Sequence, residues 1–447
     1  MKSKSCLLCV FAFLWINFQI ACSPANAPVS GNRIQINFWH GMGGPLGEVL
    51  EGLIDEYNAQ QTRYIIKGTS MGSYDTLQKK ILASVVAHRS PDISQNFEAL
   101  TLKLSRAGKL VCLDDLIARE PDPDTFRSDI IPVLLANNLF DGKLWSFPFN
   151  KSVPVLYYNK DMFREAGLDP ERPPRTIEEL YEYARKLTRD TNGDGIPEIW
   201  GFAFTLRNEW NWGCRLLSCR GTLMDEDIRK PFLDSEAALR ATRSYADMIL
   251  ERTGKFAEGY DHQNEWLGSK IAMFESSIVS RVYLKDKIKF AHGVAPISYI
   301  EQPAVLLSGT NINVYDNGSP EKIEGAWDFI KWFTSTEIGA RWSLGSTYLP
   351  VRLSSLNSKI LQDAFASDTN IAAPYSQVDS ASFEPRIPEW FECRIKISEQ
   401  LEQIYIKTAG MKNITPDSPV YTTMIQQHLG NMQTAVSFIL ENSLDTP

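Results

Sequence analysis

Strand and helix signals alternate along this chain from residue 33 to residue 150, and that alternation restricts it to folds built around parallel sheets. The stretch "INFWHGMGGPLGEVLEGLIDEYN", residues 36–58, shows the unit. Ile36 and Phe38 flank polar Asn37 at the two-residue period of a strand. Pro45 suits the first position of a helix, where its missing N–H costs nothing. Leu46, Val49, Leu50, Leu53, Ile54 and Tyr57 then repeat at helical spacing and form one apolar face. "RYIIKG" follows as a strand, and "SYDTLQKKILASVVA" as an amphipathic helix with Leu77, Ile81 and Val85 on one face. "PDISQN" is a short strand and "LTLKLSRAGKLVCLDDLI" carries another helix. The pattern predicts an α/β fold with doubly wound lobes.

Prolines show where the chain leaves a lobe. "LWSFPFNKSVPVLYYNKDMF" is a long extended segment with Pro148 and Pro154 inside it, which suits a crossing strand better than a central ladder strand. "TIEELYEYARKLTRD" is a helix opened by a Thr176/Glu179 capping box. "EKIEGAWDFIKWFTSTEIGARWSL" makes two helices, and "STYLPVRLSS" is again extended around a proline. A mature length of roughly 420 residues suits two lobes, with the chain passing between them more than once.

The first residues, "MKSKSCLLCVFAFLWINFQIAC", join two lysines to an apolar run, the charged and hydrophobic parts of a secretory signal. "ANA" has the small-x-small form of ordinary cleavage, but Pro28 follows directly and blocks the peptidase. "Ile20-Ala21-Cys22" fits a lipobox instead. Residues 1–21 are therefore expected as a signal peptide, Cys22 as a lipidated residue, and 22–32 as a flexible spacer. That predicts a lipid-anchored protein, periplasmic or at the cell surface. Losing residues 1–21 removes Lys2 and Lys4 and no acid, which moves the net charge from −8 to −10. With no basic run, a nucleic-acid partner is not expected. Cys214 and Cys219 are close enough for a small disulfide loop, and equally fit buried thiols. Outside the signal segment, which holds Cys6 and Cys9, no CxxC pair or HExxH spacing occurs, so a catalytic zinc is not expected.

Three motifs carry candidate chemistry. "DTNGDGIPEIWGF" places Asp190, Asn192 and Asp194 at alternate positions before Gly195, as in a calcium loop, although Gly201 stands where the closing glutamate would be. A structural calcium is thus an expectation, with no other cofactor. "GTSMG" formally matches a nucleophile elbow around Ser70, with His262, His292 or His428 downstream, the basis of an alternative secreted hydrolase. Carboxylate pairs for glycoside hydrolysis are not singled out among 54 acids. "NEWNWGC" puts Trp210 and Trp212 in what reads as a loop, where indole faces could stack on sugar rings.

Together the segments "FWHGMGG", "GSYDTLQKKI", "PFNKSVPVLYYNKDMFREAGLDPERPPRT", "GSKIAMFESS", "LLSGTNINVY", "STYLPV" and "EPRIPEW" resemble the extracellular solute-binding proteins of carbohydrate-type ABC importers. The resemblance implies a non-enzymatic, two-lobed periplasmic-binding-protein fold of type II that closes on one solute. One lobe would be 33–150 with 306–349, the other 151–305 with 350–447. The implied ligand is a mono- or oligosaccharide or glycerol 3-phosphate, the implied partner an ABC permease, and the expected state a monomer. Binding positions implied by the match are Tyr74, Glu98, Ser152, Trp210, Trp212, Ser276, Gly309, Tyr348 and Arg386. Trp39 and His40 join them at the glycine corner, which would offer backbone N–H groups to the ligand. Among these, Glu98 would accept hydroxyl hydrogen bonds, Gly309 would admit the ligand to the backbone, and Arg386 would supply a fork for phosphate or vicinal hydroxyls.

Overall fold

The computed structural model describes residues 33–227 and 229–444. The predicted signal peptide, Cys22 and the spacer lie outside the described residues. Among the described residues, no helix is long and apolar enough to cross a membrane.

Two sheets organise the chain. In the first, the order is Ala381–Phe383, Val305–Val314, Ile93–Asn96, Ile34–His40 and Tyr64–Ser70, with Phe147–Ser152 also paired to Val305–Val314. Ile34–His40 runs parallel to both of its neighbours, and Phe38 lies opposite Gly68 on one side and Ile93 on the other. Val305–Val314 is antiparallel to Ile93–Asn96 and to Phe147–Ser152. The second sheet has the order Gly254–Ala257, Trp200–Thr205, Ile271–Ser277, Pro154–Asn159 and His292–Pro296. Its first three strands are parallel, and Pro154–Asn159 is antiparallel to both neighbours.

The predicted crossing is real. Phe147–Ser152 belongs to the first sheet and Pro154–Asn159 to the second, with Val153 alone between them. Pro148 sits opposite Asn311, where the ladder shifts register, so its missing N–H falls at an irregularity. A second crossing runs from Pro296 to Val305. The helices predicted from periodicity form as Gly44–Gln60, Tyr74–Val86, Pro320–Phe333 and Thr336–Ser346. Ile177–Leu187 opens with the Thr176/Glu179 capping box.

The third crossing divides differently from the expected boundary at residue 350. Arg352 donates to the Thr334 carbonyl at 2.6 Å and pairs with Asp129, which ties residues 352–356 to the first lobe. Gln377 donates to Pro154 O at 2.9 Å and accepts from Ile297 N–H at 3.1 Å, on the second lobe. Ala381–Phe383 then returns to the first sheet, parallel to Val305–Val314. The terminal helices Trp390–Gly410 and Pro419–Leu444 pack on each other and on Glu236–Leu250 of the second lobe.

The "NEWNWGC" stretch is helical rather than a loop, within Glu209–Ser218. Its glycine explains the misreading. A Cβ on Gly213 would stand 2.6 Å from Leu306 Cδ1, so this helix lies directly against the crossing strand. Leu306 N–H donates to Cys214 Sγ at 3.1 Å and its carbonyl accepts from Trp210 Nε1 at 2.9 Å. Cys214 and Cys219 are free, buried thiols.

Candidate functional site

The site begins at the glycine corner. Strand Ile34–His40 ends there, and helix Gly44–Gln60 starts with a proline in its first turn. A Cβ on Gly41 would stand 2.9 Å from the Tyr74 ring, so only a glycine lets that ring close on the corner. Gly41 N–H donates to Gln95 Oε1 at 2.6 Å, and Gln95 Nε2 donates to Asn150 Oδ1 at 3.3 Å. Asn150 Nδ2 in turn donates to the Tyr74 hydroxyl at 2.8 Å, which lies 3.5 Å from the hydroxyl of Tyr348. Asn150 is fully buried and links corner, crossing strand and tyrosine pair. Burial pushes both tyrosine hydroxyls above their ordinary range, so both remain neutral donors.

Opposite stands a wall of hydroxyls from the second lobe, joined by Ser152 at the end of the crossing strand. Ser152 Oγ lies 2.7 Å from Ser277 Oγ, and Ser276 Oγ lies 2.9 Å from Ser280 Oγ. Gln263 Nε2 donates to Ser276 and Ser280 at 3.2 and 3.0 Å. Between corner and wall lies a cavity of about 690 Å³, lined also by Trp210, Tyr260, Tyr283 and Gly309. Phe97 connects it to a side chamber of about 280 Å³ bearing Glu98, Glu209, Glu384, Trp390 and Arg394. Volumes of this order are those of small-molecule sites.

Of the expected binding residues, the main cavity brings together Tyr74, Ser152, Trp210, Ser276, Gly309 and Tyr348. Glu98 lines the side chamber instead. One of its oxygens is already spent, accepting from Lys151 Nζ at 2.7 Å, Asn137 at 2.6 Å and Asn311 at 3.0 Å. Burial alone would raise this carboxyl, but Lys151 and the amides outweigh it and hold it below the ordinary value. Four expectations are corrected. Trp212 is a core residue, fully buried, with Nε1 donating to Thr242 Oγ1 at 2.9 Å. Trp39 packs on the small cluster of Leu77, Ile81 and Leu104. His40 is buried in the sheet, where desolvation lowers its pKa to about 4. Arg386 spends its fork on the Ala136 and Leu139 carbonyls at 2.9 and 2.8 Å and stacks on Phe383, so it lines neither chamber.

Two arginines line the side chamber, Arg207 and Arg394, and Arg394 is bonded to Glu209 at 2.8 Å and Glu384 at 3.3 Å. Sequence reasoning missed both, together with Tyr260, Gln263, Tyr283 and Lys287. No local signal distinguishes these residues from ordinary surface positions. Gly309 does line the cavity, but its reason is the neighbouring strand. It has φ +112°, and a Cβ there would stand 1.8 Å from Asn150 O.

Asp190 accepts from Gly193 and Gly195 N–H at 2.7 and 2.8 Å, and Asp194 accepts from Ile196 N–H at 2.8 Å. Asn192 accepts from Asp194 N–H at 2.8 Å and donates to its carboxylate at 3.2 Å. Among the described residues, no three His, Cys, Asp or Glu side chains gather as a metal site. Ser70 ends a first-sheet strand. His262 and His292 belong to the second lobe, and His428 contacts Gln400 and Lys407.

Residues 52–373 match the family described as bacterial extracellular solute-binding protein. The sn-glycerol-3-phosphate-binding periplasmic protein UgpB of Yersinia pestis is 28% identical over 337 residues, 71% of this chain and 74% of that relative. The crystal structure of UgpB from Mycobacterium tuberculosis in complex with glycerophosphocholine superposes with a TM-score of 0.78 at 22% identity, covering 92% of this chain and 99% of that one. The cyclic alpha-maltosyl-1,6-maltose binding protein from Arthrobacter globiformis superposes with a TM-score of 0.76 at 22% identity, covering 92% of this chain and 100% of that one. With two α/β lobes, crossing strands and a cavity between them, this chain belongs to the family of bacterial extracellular solute-binding proteins.

Proposed function

We propose that the protein captures a sugar or polyol-type solute between its lobes and delivers it to the membrane permease of an ABC importer. The observation that carries this reading is the cavity itself. Its walls come from both sheets, and the strands that cross from one sheet to the other run through its floor. Bending at those crossings changes the width of the cleft while each sheet stays intact, which is what hinge closure requires. Neutral hydroxyls, amides and aromatic rings line the cavity together, and they match a polyol's O–H and C–H faces. The similarity to relatives named for glycerol 3-phosphate and maltosyl binding supports the same class.

Lipid anchoring through Cys22 belongs to this proposal, as does a monomeric state. A diacyl group on Cys22 would keep the protein beside its permease. Binding is tested by thermal shift and small-angle scattering on the mature chain with a panel of sugars and polyol phosphates. A ligand should raise the melting temperature and shrink the radius of gyration while remaining chemically unaltered. Turnover of a ligand that Ser70→Ala abolishes would replace this reading with a hydrolase. Anchoring is tested by fractionation, with Cys22→Ala moving the protein from the membrane to the soluble fraction.

A further inference from the structure

We infer that the solute is a neutral saccharide of more than one ring, seated on Tyr260 and Tyr283, and not a phosphate ester. This rests on the cleft reading above and narrows it.

A phosphate in a half-dry cleft needs cations that are not already spent. Among the described residues, three cationic side chains line the two chambers: Arg207, Lys287 and Arg394. Arg394 is held between Glu209 and Glu384, and Arg207 pairs with Glu402 at 3.2 Å. Lys151, next to the cavity's Ser152, is spent on Glu98. Lys287 alone has no such carboxylate, and it is exposed, where water screens its charge. Against these stand four carboxylates on the side chamber, Glu98, Glu209, Glu384 and Glu399. Glu209 Oε2 is buried and accepts no hydrogen bond. It is an acceptor suited to an O–H donor and repels an anion. The glycine corner adds no cation to this balance, and there Pro45 has no N–H and that of Gly41 is taken by Gln95.

The aromatic residues point the same way. Tyr260 is 73% exposed and Tyr283 41% exposed, although both line the main cavity. Large rings left open to water inside a cleft are unpartnered stacking faces. Tyr283 reaches across the cleft, its ring 3.9 Å from where a Cβ on Gly44 would stand. With Trp210 and Phe97 the rings are spread along the cavity, more platforms than a three-carbon glycerol skeleton can cover. The main chamber of about 690 Å³ leaves room for several sugar rings.

The test is calorimetry and thermal shift on the mature chain with maltose, maltotriose, cellobiose, raffinose and sn-glycerol 3-phosphate, each at low and high salt. At least one saccharide should bind with an affinity that salt leaves unchanged, and glycerol 3-phosphate should not bind. Tyr260→Ala and Tyr283→Ala should each weaken that saccharide by about tenfold or more, with the melting temperature of the free protein unchanged. Binding of glycerol 3-phosphate would overturn the inference and leave the solute-binding reading standing. Wild-type saccharide affinity in both tyrosine variants would overturn the seat. Silence from every ligand would overturn the inference and the cleft reading together.

Discussion

Residues two apart on a helix point about 200° away from each other, so Trp210 and Trp212 cannot share an environment once Glu209–Ser218 is helical. Trp212 turns into the second lobe and bonds Thr242, whereas Trp210 turns to the cavity and is held by the Leu306 carbonyl. Trp212→Ala should therefore cost about 3–5 kcal/mol of stability, the range for emptying a buried aromatic site. Trp210→Ala should instead weaken ligand binding by about 1–3 kcal/mol, the value of burying a large side chain, and leave most of the stability in place. Urea unfolding and calorimetry on the two variants separate the roles, and equal effects on both measurements would contradict the assignment. Arg386 follows the same logic. Its guanidinium holds two backbone carbonyls and approaches Glu226, so Arg386→Lys should lower stability by about 1–3 kcal/mol without changing which solute binds. Binding loss at unchanged stability would return Arg386 to the cleft.

Strand Val305–Val314 couples the elements, since it meets Phe147–Ser152, Ile93–Asn96, Ala381–Phe383 and the tryptophan helix. At Gly309 its backbone adopts φ +112° and comes so close to Asn150 that any Cβ would collide. Gly309→Ala should cost about 3 kcal/mol or more and disturb the Asn150 link to Tyr74, seen as lost stability and weakened binding together. The turn at 190–198 makes a different forecast. Its acidic side chains already cap backbone N–H groups, and Glu198 accepts from Thr191 N–H at 2.7 Å. A drop of the melting curve in chelator that Asp194→Ala removes would show that these carboxylates also hold a calcium, and an unchanged curve would leave them the capping role alone. These elements also show what a sequence reveals. The Thr176/Glu179 box, the apolar face of Gly44–Gln60 and the proline-bearing crossing are set by neighbours a few residues away, so their pattern is visible locally. Arg394 and Arg386 look alike in sequence. Their difference lies in partners far along the chain, Glu209 for one and Ala136 and Leu139 for the other. Trp212 was misplaced because Gly213 reads as a loop residue, although its role is close packing on Leu306.

At the scale of the whole molecule, each lobe keeps a buried histidine that must stay neutral for the fold to persist. His40 lies in the first sheet and His262 in the second lobe against Phe274, where neither of its ring nitrogens finds a hydrogen-bond partner. Desolvation lowers both from 6.5 to about 4. In the unfolded chain both would take up a proton near pH 6.5, while the folded protein resists until about pH 4. Between those values the unfolded state binds more protons, so stability is complete above pH 6.5 and falls as the solution is acidified toward pH 4. Each histidine contributes a loss on the order of 3 kcal/mol at the lower limit. Burial raises the carboxyls of Asp247 and Glu384, which bind protons more readily when folded and so offset part of that loss at the acid end. The urea midpoint should therefore decline between pH 7 and pH 4 without a change in the surface exposed on unfolding. His262→Phe keeps the ring contact and removes the proton site, so it should flatten part of the decline, the rest coming from His40 and other lowered groups, among them His292, His428 and Glu98. A midpoint independent of pH across this window, or a slope unchanged in His262→Phe, would show that the histidines do not set the acid limit of the fold.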